Sequence, residues 1–134
     1  CYRVYKRGTV KPMSPLVHAR SSGLRVCTAV GSTAAMHSAG GSIMASSSTD
    51  LQYMVREPIN PHPLHQTFMH KLIREDEFLH VKFGNRQGDA FVDGSHLYFS
   101  VGFGDVVEFS TEAPQLQIFL KDEEVSCVWW VSYW

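Results

Sequence analysis

A run of small and hydroxyl-bearing residues at positions 28–41, here called the junction, is the part of this sequence best suited to hold a polar ligand. The residues before it alternate with the period of a strand, and Gly31 interrupts that alternation. Ser32 or Thr33 is predicted to cap a helix that begins at Ala34, because a short hydroxyl side chain accepts a hydrogen bond from the free N–H groups of a first turn. Such groups also attract anions and hydroxyl-rich ligands, so the junction is a candidate ligand site.

The histidines and cysteines are the other side chains that could take part in chemistry. His62, His65 and His70 lie close together in the sequence, but their spacing matches no standard zinc site and no cysteine is near, so we predict no metal site. Cys27 lies in an apolar strand without an adjacent base or cation that would lower its pKa, and is interpreted as a structural thiol. Asp93 belongs to a predicted turn and has no carboxylate partner. We assign no catalytic residue.

Composition indicates a globular chain whose ligand is a small molecule. The 134 residues are 44% hydrophobic and 19% charged, and no apolar run approaches the roughly 20 residues that a spanning helix needs. This length suffices for one ordinary domain with a core. A net charge of −1 provides neither the basic field that nucleic acids require nor a cationic face for a membrane surface. We therefore expect no nucleic-acid partner and no membrane partner.

The cysteines and the chain ends bear on location and completeness. Cys1, Cys27 and Cys127 are odd in number and widely spaced, which indicates a reducing compartment rather than a disulfide framework. There is no secretory signal, and the last three residues are not the peroxisomal Ser-Lys-Leu, so a cytoplasmic location is expected. Residue 1 is Cys rather than Met, from which we expect a fragment or an incomplete gene product.

The elements that must position the junction are predicted to be a strand before it and a strand after it. Upstream, the residues that share one face, turned toward a core, are Leu24, Val26, Thr28 and Val30. Downstream, a solvated turn at residues 46–48 leads to a strand at residues 51–55. Three prolines at residues 58–63 predict a loop or a sheet edge, and a second helix is expected around residues 64–73.

The rest of the chain is predicted to be mostly β. One short strand followed by a loop is expected in the first 20 residues. From His80 onward the pattern is typical of a β meander, with reversals at Asp93-Gly94 and at residues 102–105. The strands of this meander are predicted near residues 80–83, 90–92, 96–101, 106–110 and 116–120.

Residues 21–41 and 51–61 resemble the C-terminal half of NAD(H) kinases, and most of all their plant NADH kinase branch. Farther on, the turns at Asp93 and Gly104 fall where that family has paired Asp-Gly and Gly-Asp turns. The resemblance covers about residues 21–120. It implies a mainly β (α+β) fold, the layered β-sandwich-like C-terminal domain of NAD kinases with one or two short helices, and the strand count agrees with it.

The resemblance also implies which residues approach the ligand. A Thr-Ala pair of the family lies beside the bound dinucleotide, and Thr33 and Ala34 occupy its positions. The family usually carries Tyr after this pair, whereas this chain has Ala35 and therefore lacks a stacking ring. The cofactor-binding residues are accordingly expected to be Gly31, Ser32, Thr33, Ala34 and Ser38.

A second segment resembles the family's Pro-x-x-Pro-His motif and is a candidate substrate loop. Its residues are Pro58, Asn60, Pro61 and His62. The competing interpretation is structural, because two prolines by themselves fix the course of a loop.

The family reaction implies what this chain could contribute. NAD(H) kinases transfer the terminal phosphoryl group of ATP to the adenosine 2′-hydroxyl of NAD or NADH, which requires a backbone cradle, Mg²⁺ and a carboxylate base. The family's Gly-Gly-Asp-Gly motif supplies the cradle and the base, and it does not occur in these 134 residues. We therefore expect a dinucleotide-binding part for NADH or NAD, with ATP and Mg²⁺ belonging to the complete family enzyme.

Two alternatives to dinucleotide binding stay open. The chain could be a non-catalytic β-rich interaction or regulatory module that pairs with a full-length kinase subunit, or a truncated product without function. Homo-oligomers are usual in the family, so a homo-oligomer or a kinase subunit is the expected protein partner. The expected division is an N-terminal segment at residues 1–20, the kinase-like domain at 21–120 and a divergent aromatic tail at 121–134.

Overall fold

The computed structural model describes residues 1–112. Within that range the chain is mainly β, as the resemblance implied, with eight strands in three antiparallel sheets. One α-helix, α1 (Ala35–Ser38), and two 3₁₀ helices, Val30–Thr33 and Pro63–Phe68, complete it. The strands are β1 (Tyr2–Lys6), β2 (Gly23–Cys27), β3 (Leu51–Arg56), β4 (His70–Ile73), β5 (Glu77–Lys82), β6 (Gln87–Phe91), β7 (Tyr98–Gly102) and β8 (Val106–Ser110). The strand predicted at 116–120 and the aromatic tail lie outside the described residues.

Two three-stranded sheets, ordered β1-β5-β8 and β2-β3-β4, share one hydrophobic core. The ring of Tyr2 in the first sheet meets the ring of Tyr53 in the second edge to face, with centroids 5.6 Å apart. Such contacts form because alternate residues of each strand point to the same side. The buried residues of this core are Tyr2, Val4, Val17, Tyr53, Val55, Ile73 and Leu79. The arrangement is the layered sandwich that was expected.

The region after His80 is not the simple meander that its pattern predicts. Strand β5 pairs with β8, and β6 and β7 form a separate two-stranded hairpin, here called the hairpin. The β5–β8 pairing continues past the strand ends, since the Phe83 N–H donates to the Asp105 carbonyl at 2.8 Å. The chain between these two residues must therefore leave the sheet and return. Both predicted reversals are confirmed, with positive φ at Asp93 (49°), Gly94 (111°) and Gly104 (92°).

The strand before the junction is shorter than its alternation predicts. It ends at Cys27, and Ala29 already has helical backbone angles (φ −53°, ψ −45°). Consequently Ala29 is buried while Val30 is 49% exposed, the reverse of the expected pattern. The helix predicted around residues 64–73 is confirmed only in its first half, because the 3₁₀ helix ends at Phe68 and β4 begins at His70. None of the helices within residues 1–112 has both the length and the apolar character that crossing a bilayer requires.

Candidate functional site

The junction lies over the face of sheet β2-β3-β4 that is turned away from the core. Leu24 and Val26 pack against the core, so Arg25 and Cys27 project from the opposite face. The Arg25 guanidinium reaches the junction and donates to the Ala35 carbonyl at 2.6 Å. Gly31 allows a close approach to the sheet, because an added Cβ would make a tight contact of 3.2 Å with the Cys27 Cβ. The junction is thus held close against the sheet.

The hydroxyl side chains of the junction do not cap a helix, so that prediction is wrong. Ser32 donates to the Ala29 carbonyl at 2.5 Å, and Thr33 donates to the Val30 carbonyl at 3.2 Å. The capping position of α1 is Ala34, which offers no side-chain hydrogen bond. Short hydroxyls compete for nearby carbonyls in this way, and here they stabilise the 3₁₀ turn. A helix of four residues also has too small a dipole to attract an anion.

The five expected ligand residues form one continuous turn but differ in exposure. Ser32 is 0% exposed, and its hydroxyl also accepts from the Met44 N–H at 2.9 Å. Thr33 and Ser38 are exposed, whereas Gly31 and Ala34 are half-buried. Thr33 and Ser38 are therefore accessible to a ligand, while the Ser32 hydroxyl connects the turn to the segment that follows the junction.

Gln52 is a polar residue at the centre of this site that no sequence motif marks. It is 0% exposed, on the same sheet face as Cys27, its cross-strand partner. The Ser42 N–H donates to Gln52 Oε1 at 2.8 Å, and Gln52 Nε2 donates to the Ser42 carbonyl at 2.7 Å. His70 Nε2 lies 2.6 Å from the same Oε1. The only signal in the sequence is an amide between Leu51 and Tyr53 in an otherwise apolar strand.

A groove of about 430 Å³, here called the groove, opens between the segment at residues 42–45 and strand β4. His70, Lys71 and Leu72 form one wall. The Lys71 ammonium lies 5.3 Å from the centroid of the Phe68 ring. Because Met44 belongs to the other wall and is bonded to Ser32, the groove and the junction are parts of one arrangement.

The candidate substrate loop has its own set of hydrogen bonds. The Ile59 N–H donates to the Arg20 carbonyl at 2.7 Å, and His62 Nδ1 accepts from the Leu64 N–H at 3.3 Å. His62 is therefore the cap of the second 3₁₀ helix. The prediction of a loop is confirmed for residues 58–62, whereas Pro63 already belongs to the second 3₁₀ helix. Among the described residues, no hydrogen bond joins this loop to the junction. The two segments expected to contact the ligand are therefore not bonded to each other.

The histidines and Cys27 have structural partners. His62 and His65 lie side by side, with ring centroids 5.5 Å apart, while His70 is bonded to Gln52. Over the part of the chain that the structure describes, no three His, Cys, Asp or Glu side chains group as metal ligands would. Burial raises the pKa of the Cys27 thiol, and the nearby Arg25 cation, which the sequence interpretation overlooked, opposes this only in part. The thiol is accordingly protonated at neutral pH.

Two plant proteins are similar to this chain, whereas no protein-family model matches it. A probable NADH kinase of Oryza sativa subsp. japonica is 44% identical over 117 residues, and an NADH kinase of Arabidopsis thaliana is 47% identical over 116 residues. Each alignment includes 87% of this chain and 36% of the relative. The chain therefore spans about a third of the length of the curated relatives that it matches.

Proposed function

From the resemblance to the NAD(H) kinase family, which the two plant relatives confirm, we propose that this chain forms the dinucleotide-binding part of an NADH kinase-like protein. The observation that carries the proposal is the junction itself. Arg25 holds the junction against the sheet, and Ser32 and Gln52 bind the segment that follows it, while Thr33 and Ser38 stay exposed. A rigid turn with open hydroxyls suits a ligand rich in hydroxyl and phosphate groups. The proposed ligand is NADH or NAD.

Each junction residue has a role in this proposal. Thr33 and Ser38 offer side-chain hydroxyls, and Ala34 offers its backbone. Gly31 allows the turn to lie against Cys27. Ser32 is buried, so it positions Met44 and does not contact the ligand.

The loop that carries Pro58, Asn60, Pro61 and His62 remains a proposed second contact. Asn60 has a left-handed backbone (φ 44°). The use of His62 as a helix cap supports the structural alternative, in which the loop folds locally and does not contact the ligand.

Phosphoryl transfer is proposed to require residues other than these. The reaction needs a phosphate cradle and a base, which together contribute many orders of magnitude in rate. ATP is the proposed phosphate donor of the complete kinase. Residues 1–112 offer no group of three His, Cys, Asp or Glu for Mg²⁺, so no step through this ion is assigned to them. The test is incubation of the chain with ATP, Mg²⁺ and NADH, followed by detection of NADPH; turnover would contradict the proposal.

Direct binding tests the central claim. NADH fluorescence titration should show saturable binding to the chain, and Thr33→Val and Ser38→Ala should each weaken it about 2- to 10-fold, the usual effect of one hydrogen bond. Thr67→Val and Ser47→Ala change exposed hydroxyls outside the junction and serve as matched controls. No saturable binding, or equal losses in the control variants, would overturn the proposed function.

The hairpin favours a second candidate function, that of a module that pairs with a kinase subunit or a second copy. Phe91 and Tyr98 are cross-strand partners in the hairpin, with ring centroids 6.0 Å apart, and they are 60% and 57% exposed, although a two-stranded hairpin is marginally stable by itself. Exposed apolar patches of this kind mark interaction surfaces. Light scattering should show an assembly larger than one chain, and combined Phe91→Ser and Tyr98→Ser should dissociate it.

The control for that experiment is Val10→Ser, which changes a more exposed apolar side chain (98%) in another part of the chain. A monomer at high concentration that also fails to co-purify with a full-length NADH kinase would exclude the module. If NADH binding is absent as well, the remaining interpretation is a truncated product without function.

A further inference from the structure

We propose that His70 is a specificity-determining residue of the dinucleotide site, where its Nδ1 accepts a hydrogen bond from a hydroxyl or amide of the ligand inside the groove. The inference deepens the proposed function and rests on it. It is carried by the hydrogen bonds around Gln52, which fix the position of the proton on the His70 ring.

The orientation of the Gln52 amide follows from its two bonds to Ser42. A backbone N–H can only donate and a carbonyl can only accept, so the amide oxygen must face the Ser42 N–H and the amide nitrogen must face the Ser42 carbonyl. In the reversed orientation, the amide nitrogen would face the Ser42 N–H, donor against donor, and the amide oxygen would face the Ser42 carbonyl, acceptor against acceptor. His70 Nε2 therefore lies 2.6 Å from an oxygen and must donate to it.

A neutral imidazole carries one proton, so a proton on Nε2 leaves a lone pair on Nδ1. Within residues 1–112 no hydrogen bond is formed to His70 Nδ1. The half-buried ring lines the groove. In the neutral ring, His70 thus offers a hydrogen-bond acceptor at Nδ1.

The chemistry of the groove matches a nucleotide. None of the described residues that line it is acidic, so the groove does not repel the phosphates of a nucleotide. The volume of about 430 Å³ lies within the range of small-molecule sites, and the bond between Met44 and Ser32 joins the groove to the junction.

Two substitutions of His70 test the roles of its two ring nitrogens independently. In His70→Gln, the amide nitrogen takes the place of Nε2 and keeps the bond to Gln52, but the acceptor at Nδ1 is lost. In His70→Asn, the amide oxygen takes the place of Nδ1, but the side chain is too short to reach Gln52. We expect His70→Gln to melt like the unchanged chain and to bind NADH about 3- to 10-fold more weakly, the effect of one hydrogen bond. We expect His70→Asn to melt earlier and to keep more of the affinity.

Nitrogen NMR of the histidine rings gives a readout that does not depend on ligand binding. At pH 8 the His70 ring should carry its proton on Nε2, and NADH should shift the Nδ1 resonance. His18→Gln, an exposed histidine outside the groove, is the control for the titrations.

The outcomes are distinguishable. A proton on Nδ1 of His70 would overturn the inference, and so would His70→Gln binding NADH as tightly as the unchanged chain while Thr33→Val binds more weakly; in both cases the proposed function would stand. A chain that does not bind NADH at all would overturn both.

Discussion

Gln52 and Ser42 form a closed pair of hydrogen bonds, in which the side chain of a strand residue pairs with the backbone of a segment that is not itself a strand. Both bonds are short, at 2.8 and 2.7 Å, and Gln52 is fully buried. The amide thus replaces the backbone partner that a neighbouring strand would supply. One wall of the groove is consequently held to β3 by a single side chain.

Replacing Gln52 by Leu should destabilise the chain by about 2–4 kcal/mol, because the Ser42 N–H and carbonyl and the His70 Nε2 then lose a buried partner. Urea unfolding measures the loss. Gln66→Leu, which changes an exposed glutamine, should alter the free energy of unfolding by less than about 0.5 kcal/mol. Equal effects of the two substitutions would contradict the role given to Gln52.

Gly41→Ala should cost about 1–3 kcal/mol, the usual effect of overpacking. An added Cβ would lie 2.6 Å from the Met36 Cγ and 2.8 Å from both the Gln52 Oε1 and the Met36 carbonyl oxygen. Gly84→Ala is the matched control, since nothing lies within 4 Å of its added Cβ. Thermal melting compares the two, and a Gly41→Ala variant as stable as Gly84→Ala would show that the turn can relax without loss.

Two buried tyrosines should respond differently to the loss of their hydroxyls. The Tyr2 hydroxyl donates to the Phe68 carbonyl at 2.7 Å, so Tyr2→Phe should destabilise by about 1 kcal/mol. The Tyr53 hydroxyl has no hydrogen-bond partner within the described residues, so Tyr53→Phe should leave stability unchanged or raise it by up to about 1 kcal/mol. Urea midpoints measure both, and a larger loss from Tyr53→Phe than from Tyr2→Phe would contradict the assignment.

Stability should fall at alkaline pH. Burial raises the pKa of the Tyr2 and Tyr53 hydroxyls, with smaller contributions from Tyr53 on Tyr2 and from Glu77 on Tyr53. The unfolded chain releases these protons near pH 10 and the folded chain only at higher pH, so the contribution of both groups is complete below about pH 10 and is lost as the pH rises through the folded values.

Urea unfolding at pH 8 to 11 tests this dependence. The free energy of unfolding should decrease above about pH 10, and less steeply in Tyr53→Phe than in the unchanged chain. A constant value across this range, or equal slopes for the two proteins, would show that the buried hydroxyls do not determine the alkaline limit.

Several features could be predicted from the sequence because they depend on residues close together in the chain. The inward face of Leu24 and Val26 follows from strand alternation, and the Asp93-Gly94 turn follows from two residues that tolerate positive φ. The resemblance to NAD(H) kinases was also visible in short motifs. The end of β2 could not be predicted from the alternation of apolar residues, because that alternation continues to Val30 although the strand stops at Cys27.

What only the tertiary structure decided is which distant residues become partners. It pairs β5 with β8 across the hairpin, turns the Ser32 hydroxyl toward Met44 and not toward a helix start, and places Gln52 between Ser42 and His70. These contacts join residues that are 10 or more positions apart. Local periodicity carries no information about them, because a buried polar group takes whichever partner the packing of other elements brings within reach. The sequence by itself therefore showed the resemblance to NAD(H) kinases, the β class and the residues that form the junction, and the packing of sheet β2-β3-β4 decided which of the hydroxyl-bearing residues of the junction are exposed and which is buried.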